Sequence, residues 1–109
     1  MIISIYQINP KWKHGAEKLF LSLANLEEQF GKEIDPEIYD EVWSGTLDCS
    51  GLEEVYMAFN AGTLPDDFHG HSLSVSDIVE VRHGDCKDLY YCDDIGWKRI
   101  NPQTWWCDE

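Results

Sequence analysis

His69 and His71, Ser72, Ser74 and Ser76, and Asp77 and Asp93 supply the residue types from which hydrolytic chemistry is built. An imidazole beside a hydroxyl can activate a nucleophile, and imidazoles with carboxylates can hold a metal that activates water. Four cysteines and four histidines also raise a zinc site. Structural zinc sites take ligands in close pairs, typically C-x₂₋₄-C. Cys86 and Cys92 instead form C-x₅-C, His69 and His71 form H-x-H, and Cys49 and Cys107 are isolated. No metal and no other cofactor is therefore expected. The thiols are expected to be reduced and unlinked, with Cys92 packing as a small hydrophobe. Serines beside a strand cap it or bond backbone. Asp77 is expected to fix a turn or a strand start, and Asp93 and Asp94 to hold the turn at Gly96 by Asx bonding. There is no Gly-rich phosphate loop, nucleophile elbow or H-E-x-x-H. No catalytic residue is assigned. A metal-assisted or hydrolytic enzyme acting on nucleic acid through His69, His71, Asp77 and Asp93 is kept as the alternative to binding.

The elements that position these residues are legible from periodicity. Ile2 to Ile8 is apolar on both faces, which suits a buried strand, and Asn9-Pro10 ends it. Leu19, Phe20, Leu23, Leu26 and Phe30 form a helical stripe within 15–30, with Gly31 where a C-terminal cap belongs. Ile38 to Leu47 reads as a strand with Tyr39, Trp43 and Leu47 on one face and Ile38 and Val42 on the other. Ser50-Gly-Leu-Glu53 is a capping box, and Leu52, Val55, Tyr56 and Phe59 continue it as a helix that Gly62 can close. A loop at 63–67 follows. Leu73, Val75, Val79 and Val81 mark a third strand, with a bulge or tight turn at 74–77. Residues 83–88 read as a hairpin loop. Leu89 to Asp93 and Trp97 to Ile100 form the last hairpin, with Gly96 supplying a positive φ. The order β-α-β-α-β-β-β predicts one α+β domain over 1–109: a mainly antiparallel sheet of about five strands with two helices.

Composition supports a folded globule, with 43% hydrophobic residues and five Trp, five Tyr and four Phe among 109 residues. Met1 is followed at once by Ile-Ile-Ser-Ile-Tyr, with no basic n-region and no small-residue cleavage site, and no apolar run reaches the roughly 18 residues of a membrane span. A cytoplasmic protein without membrane contact is expected. The net charge of −13 is concentrated. Between Lys32 and Arg82 there is no Lys or Arg, and that window holds twelve carboxylates, whereas the rest of the chain carries nine acids against eight bases. Glu33, Asp35, Glu37, Asp40, Glu41, Asp66 and Asp67 are taken as the candidate binding face. Were 33–37 extended, Glu33, Asp35 and Glu37 would share a face at about 6.6 Å spacing. Such a field repels phosphates and attracts a cationic partner, so direct nucleic-acid binding is not expected. Trp105 and Trp106, after Asn101-Pro102, are the candidate apolar anchor.

Residues His71 to Val79 (H-S-L-S-V-S-D-I-V) and Tyr90 to Ile100 (Y-Y-C-D-D-I-G-W-K-R-I) resemble the YodL-type domain. Tyr91, Asp93, Gly96 and Trp97 match its aromatic-x-Asp-x-x-Gly-aromatic pattern, with weaker echoes at Tyr39 to Gly45 and in the Leu52 to Asn60 helix ending in Phe-Asn. The resemblance implies a small module of Firmicutes, often encoded on conjugative elements and sometimes fused to anti-restriction proteins. It transfers no catalytic residues. Without a fused enzymatic partner, the chain is expected to act as a free-standing effector. The expected function is a non-enzymatic inhibitor from a mobile genetic element. It would bind a basic host protein or ribonucleoprotein such as Cas9 through its acidic surface, of the anti-CRISPR or anti-restriction kind. A regulatory adaptor that binds another element-encoded protein is the remaining alternative.

Overall fold

β1 (Ile2–Ile8) is buried from Ile3 onward on both of its faces, and this fixes the architecture. Ile3 and Ile5 point into one core with Val42, Trp43, Val55, Phe59, Leu73, Val79 and Val81. Tyr6 and Ile8 point into a second core with Leu26, Ile38, Tyr39, Ile78, Leu89 and Tyr91. A strand with apolar side chains at successive positions demands cover on both sides. The computed structural model describes residues 1–12, 15–30, 36–60, 67–68 and 70–100. In it, β1, β2 (Tyr39–Thr46), β3 (Ile78–His83), β4 (Cys86–Cys92) and β5 (Trp97–Ile100) form one antiparallel sheet in the order β2-β1-β3-β4-β5. After the short α1 (Gly15–Lys18), helix α2 (Leu23–Phe30) packs on one face and α3 (Leu52–Asn60) on the other. The α+β class and the five-stranded antiparallel sheet are as the periodicity predicts.

Three local readings are corrected. The expected helix over 15–30 is broken: Phe20 has φ +67°, and Ser22 starts α2 afresh, its Oγ accepting from the Asn25 amide at 3.2 Å. A Ser three residues before an amide it can accept from is an N-cap, so the expected stripe is divided between the turn after α1, with Leu19 and Phe20, and α2, with Leu23, Leu26 and Phe30. In β2 the pairing passes from Ile5 opposite Trp43 to Tyr6 opposite Glu41. Val42 is therefore an extra residue, a bulge. The bulge shifts the phase of the alternation, so Tyr39 lies in the α2-side core while Val42 and Trp43 both enter the α3-side core. At α3 the capping carboxylate belongs to Glu54 rather than Glu53, accepting from both the Ser50 hydroxyl and the Ser50 amide. Those donors hold the Glu54 carboxyl below its usual range.

The β3–β4 connection is shorter than the sequence suggests. His83 pairs with Cys86, leaving Gly84-Asp85 as a two-residue turn with Gly84 at φ +61°. Glycine at the first central position is what a II′ hairpin takes. The expected cap at Gly31 and closure at Gly62 lie outside the described residues, as do His69 and Cys107.

The motif at the β4–β5 turn fastens the broken helix to the sheet. Gly96 has φ +70°, and its carbonyl accepts from the Asp93 amide at 3.0 Å. The Tyr91 hydroxyl donates to the Leu21 carbonyl at 2.7 Å. Asp93 Oδ1 accepts from the Asp94 amide at 2.9 Å, the expected Asx bond, and also from the Leu23 amide at 3.0 Å. Partial burial opposes ionisation of Asp93, yet those donors and nearby Lys98 hold its carboxyl below the usual range. A carboxylate at the first residue of α2 also meets the positive end of the helix dipole. Asp93→Ala is expected to lower stability by about 1–3 kcal/mol, the worth of hydrogen bonds to a charged acceptor. Urea unfolding at neutral pH measures it.

Candidate functional site

Tyr39 to Thr46 form an edge strand, since among the described residues β1 is the one sheet neighbour of β2. Glu37 precedes it in a 3₁₀ turn at Pro36–Ile38, so the extended spacing expected for 33–37 does not reach Glu37. Glu37 and Glu41 are exposed and Asp40 is half-buried. Asp48, Glu53 and Glu54 continue the exposed carboxylates from the end of β2 into α3. From Pro36 to Asn60 there is no Lys or Arg. Glu37, Asp40, Glu41 and Asp48 thus make the β2 edge of the sheet an acidic ledge, whereas Glu53 lies against Cys92, Asp93 and Trp97 of the β4–β5 hairpin, toward the other edge.

The ledge carboxylates are not equivalent. Asp40 uses both oxygens locally: Oδ2 accepts from Asn9 Nδ2 at 2.8 Å and Oδ1 from Trp12 Nε1 at 3.2 Å. Asp67 Oδ1 accepts from Trp43 Nε1 at 2.8 Å. The Trp43 ring in turn lies where a Cβ on Gly45 would stand, 2.7 Å from the nearest ring atom. Glu41 stands beside the phenol of Tyr6; burial first, then the charges of Glu80 and Glu41, raises the Tyr6 pKa. Two members of the cation-free window are not on the surface at all. Glu80 is buried, accepting from Arg82 Nη2 at 3.2 Å with Lys87 Nζ at 3.9 Å, and Asp77 is buried completely. Glu33, Asp35, Asp66, Trp105 and Trp106 lie outside the described residues.

Beside Asp40 a groove of about 410 Å³ runs between the end of β1 and the loop before β3, with Gln7, Asn9, Val42 and His71 in its walls. Two exposed rings touch residues of its walls: Trp12 donates to Asp40, and Phe20 is edge-on to His71 at 5.8 Å. Gln7 organises its floor, accepting from the His71 amide at 3.0 Å and donating to the His71 carbonyl at 2.8 Å and to Asp77 Oδ2 at 3.0 Å. Asp77 Oδ2 also accepts from the Ser74 amide at 2.7 Å, which closes the turn expected at 74–77. Ser76, at φ +84°, is held from three sides: by the Cys92 carbonyl, by the Tyr39 hydroxyl at 2.6 Å, and by the Phe20 amide on its Oγ. No reading of the sequence brought Gln7 into this network. A Gln at a buried strand position was the available signal, because a buried amide must find partners.

Of the residues considered for hydrolysis, Asp77, Asp93, Ser76 and His71 are engaged in structural bonds. Asp77 is enclosed, Asp93 caps α2, Ser76 Oγ accepts from Phe20, and the His71 ring is bonded through Nδ1 to the Ser72 carbonyl at 2.7 Å. Cys92 is buried, and burial followed by the charges of Asp77 and Asp93 pushes its thiol up to about 12. A thiol so raised is neither nucleophile nor ready ligand. Cys86 and Cys92 stand at opposite ends of β4, about 20 Å apart at strand rise.

Together these features define a class: a small α+β module, its antiparallel sheet covered on both faces, that offers an acidic edge and a polar groove. Its sequence matches the family of the YodL-like domain over residues 2–102, and the chain belongs to that family. No curated protein and no solved structure matches it. Among the described residues, no helix is long and apolar enough to cross a membrane.

Proposed function

We propose that the protein is a non-enzymatic inhibitor carried by a mobile genetic element, and that its acidic ledge binds a host defence complex that handles nucleic acid. The observation that supports this reading is the segregation of charge. Glu37, Asp40, Glu41 and Asp48 follow one another before, along and after β2 without an intervening cation. On the far side of the sheet, Arg82 and Lys87 are paired with Glu80, and Arg99 with Asp88 at 2.6 Å. An ordered row of carboxylates can stand in for phosphates in a basic channel, speeding encounter and excluding the nucleic acid by occupancy. A Cas9-type nucleoprotein, whose guide and target strands lie in a positively charged channel, is the first target to test.

The protein mixed with a Cas9–guide complex is expected to co-elute with it in gel filtration and to suppress target cleavage. A complex that neither co-elutes nor slows removes Cas9 as the target. Indifference of restriction and CRISPR complexes alike would end the reading.

A further inference from the structure

The cavity between α3 and the β4–β5 turn has the chemistry of a receptor for a cationic side chain. It encloses about 130 Å³, room for about four waters at their liquid volume of about 30 Å³ or for one planar guanidinium head. Tyr56 and Trp97 form aromatic walls, their centroids 6.5 Å apart and planes at 82°. Glu53 and Asp94 add acidic residues to the same lining, while the Asp93 carboxylate is committed to the Leu23 amide. A cation held over the face of either ring and beside a carboxylate is attracted by both. Two exposed apolar side chains are next in sequence to lining residues: Ile95, between Asp94 and Gly96, is 83% exposed, and Met57, after Tyr56 on α3, is 61% exposed. Exposed apolar and aromatic side chains around a charged pocket are the composition of a protein-binding hot spot. Lys98, the neighbouring cation, stands one residue from Trp97, and strand alternation turns it toward the opposite face of the sheet.

We propose that this cavity takes an arginine side chain of the partner protein, with Ile95 and Met57 making apolar contact around it. Arginine fits better than lysine because its flat, weakly hydrated guanidinium stacks on an aromatic wall and forks onto carboxylates. The inference rests on the reading that the partner is a cationic protein, but it concerns a surface distinct from Glu37, Glu41 and Asp48.

The test is an NMR titration of the whole ¹⁵N-labelled protein with N-acetyl-arginine amide, following the Trp97 indole signal, assigned through Trp97→Phe. The signal is expected to move and saturate, with N-acetyl-lysine amide binding several-fold more weakly. Glu53→Gln and Tyr56→Leu, both exposed positions, should each weaken arginine binding several-fold, while Glu37→Gln with Glu41→Gln leaves it unchanged. A Trp97 signal that stays still, moves equally with sodium chloride, or answers arginine identically in Tyr56→Leu overturns the proposal. Arginine binding without capture of any nucleic-acid-handling complex would leave this cavity standing and remove the inhibitor reading. Capture of such a complex, undiminished in Tyr56→Leu, would do the reverse.

Discussion

Asp77→Asn is expected to flatten the dependence of stability on pH between about 4 and about 8. Asp77 is fully buried; Oδ2 accepts from Ser74 and Gln7, and Oδ1 has no partner among the described residues. Burial without a cation raises its pKa from 3.8 to about 8, against the lowering effect of those two donors. The titratable groups around it are Tyr39 on β2 and Tyr91 and Cys92 on β4, each pushed upward in part by its charge, so none of them compensates it. Because the folded pKa lies above the unfolded one, the stability contributed by the bound proton is complete below about 4 and is lost as pH rises through about 8. Each tenfold difference in proton affinity between the folded and unfolded chain is worth about 1.4 kcal/mol, so the loss across the window amounts to several kcal/mol. Asparagine keeps one acceptor for Ser74 and Gln7 and never ionises. The variant should therefore gain on the parent as pH rises, and the gain should level off above about pH 8.5. Urea unfolding of both proteins at pH 5, 7 and 9 checks this, and a constant difference would show that Asp77 does not titrate in this window.

The elements were legible where one local signal decides them. β1 announced itself because alternate faces were both apolar, and the β4–β5 turn because glycine follows two aspartates. The break at Phe20 was not legible. A bulky residue at positive φ is strained, and only the Ser76 hydroxyl on its amide and the Tyr91 and Asp93 bonds to Leu21 and Leu23 hold the chain there. Those partners lie more than fifty residues away in sequence, beyond any helical window. The bulge at Val42 escaped for a related reason: a one-residue insertion is visible only against the partner strand. For the candidate site, the charge pattern marked a carboxylate-rich window, of which Glu37, Asp40 and Glu41 fall at the β2 edge of the sheet. It could not separate Glu37 and Glu41, which are exposed, from Asp40, whose oxygens accept from Asn9 and Trp12, from Asp67, which accepts from Trp43, or from Asp77 and Glu80, which are buried.

That separation determines which variant tests binding cleanly. Asp40 offers one oxygen to Asn9 and the other to Trp12. Asparagine there would satisfy one donor and turn its own NH₂ toward the other, so Asp40→Asn is expected to cost about 1–3 kcal/mol of stability. Glu37, Glu41 and Asp48 are exposed, and neutralising them should change stability by no more than about 0.5 kcal/mol each. In the triple variant Glu37→Gln, Glu41→Gln and Asp48→Asn, folding and binding effects are therefore separable. Affinity for the partner complex should fall about tenfold or more, mostly through slower association, because exposed charge chiefly steers encounter. Binding by the parent should also weaken with added salt, whose screening length is about 8 Å at physiological strength. The variant should show a shallower salt dependence.

The most direct measurement is the affinity of parent and triple variant for a Cas9–guide complex, at two salt concentrations and with thermal midpoints recorded alongside. The account predicts tight, salt-sensitive binding by the parent, and binding weakened about tenfold with a reduced salt slope by a variant of unchanged midpoint. Equal affinity and equal salt slope for the two proteins would contradict it, and would show that the carboxylates on β2 serve only to keep an edge strand soluble and unpaired.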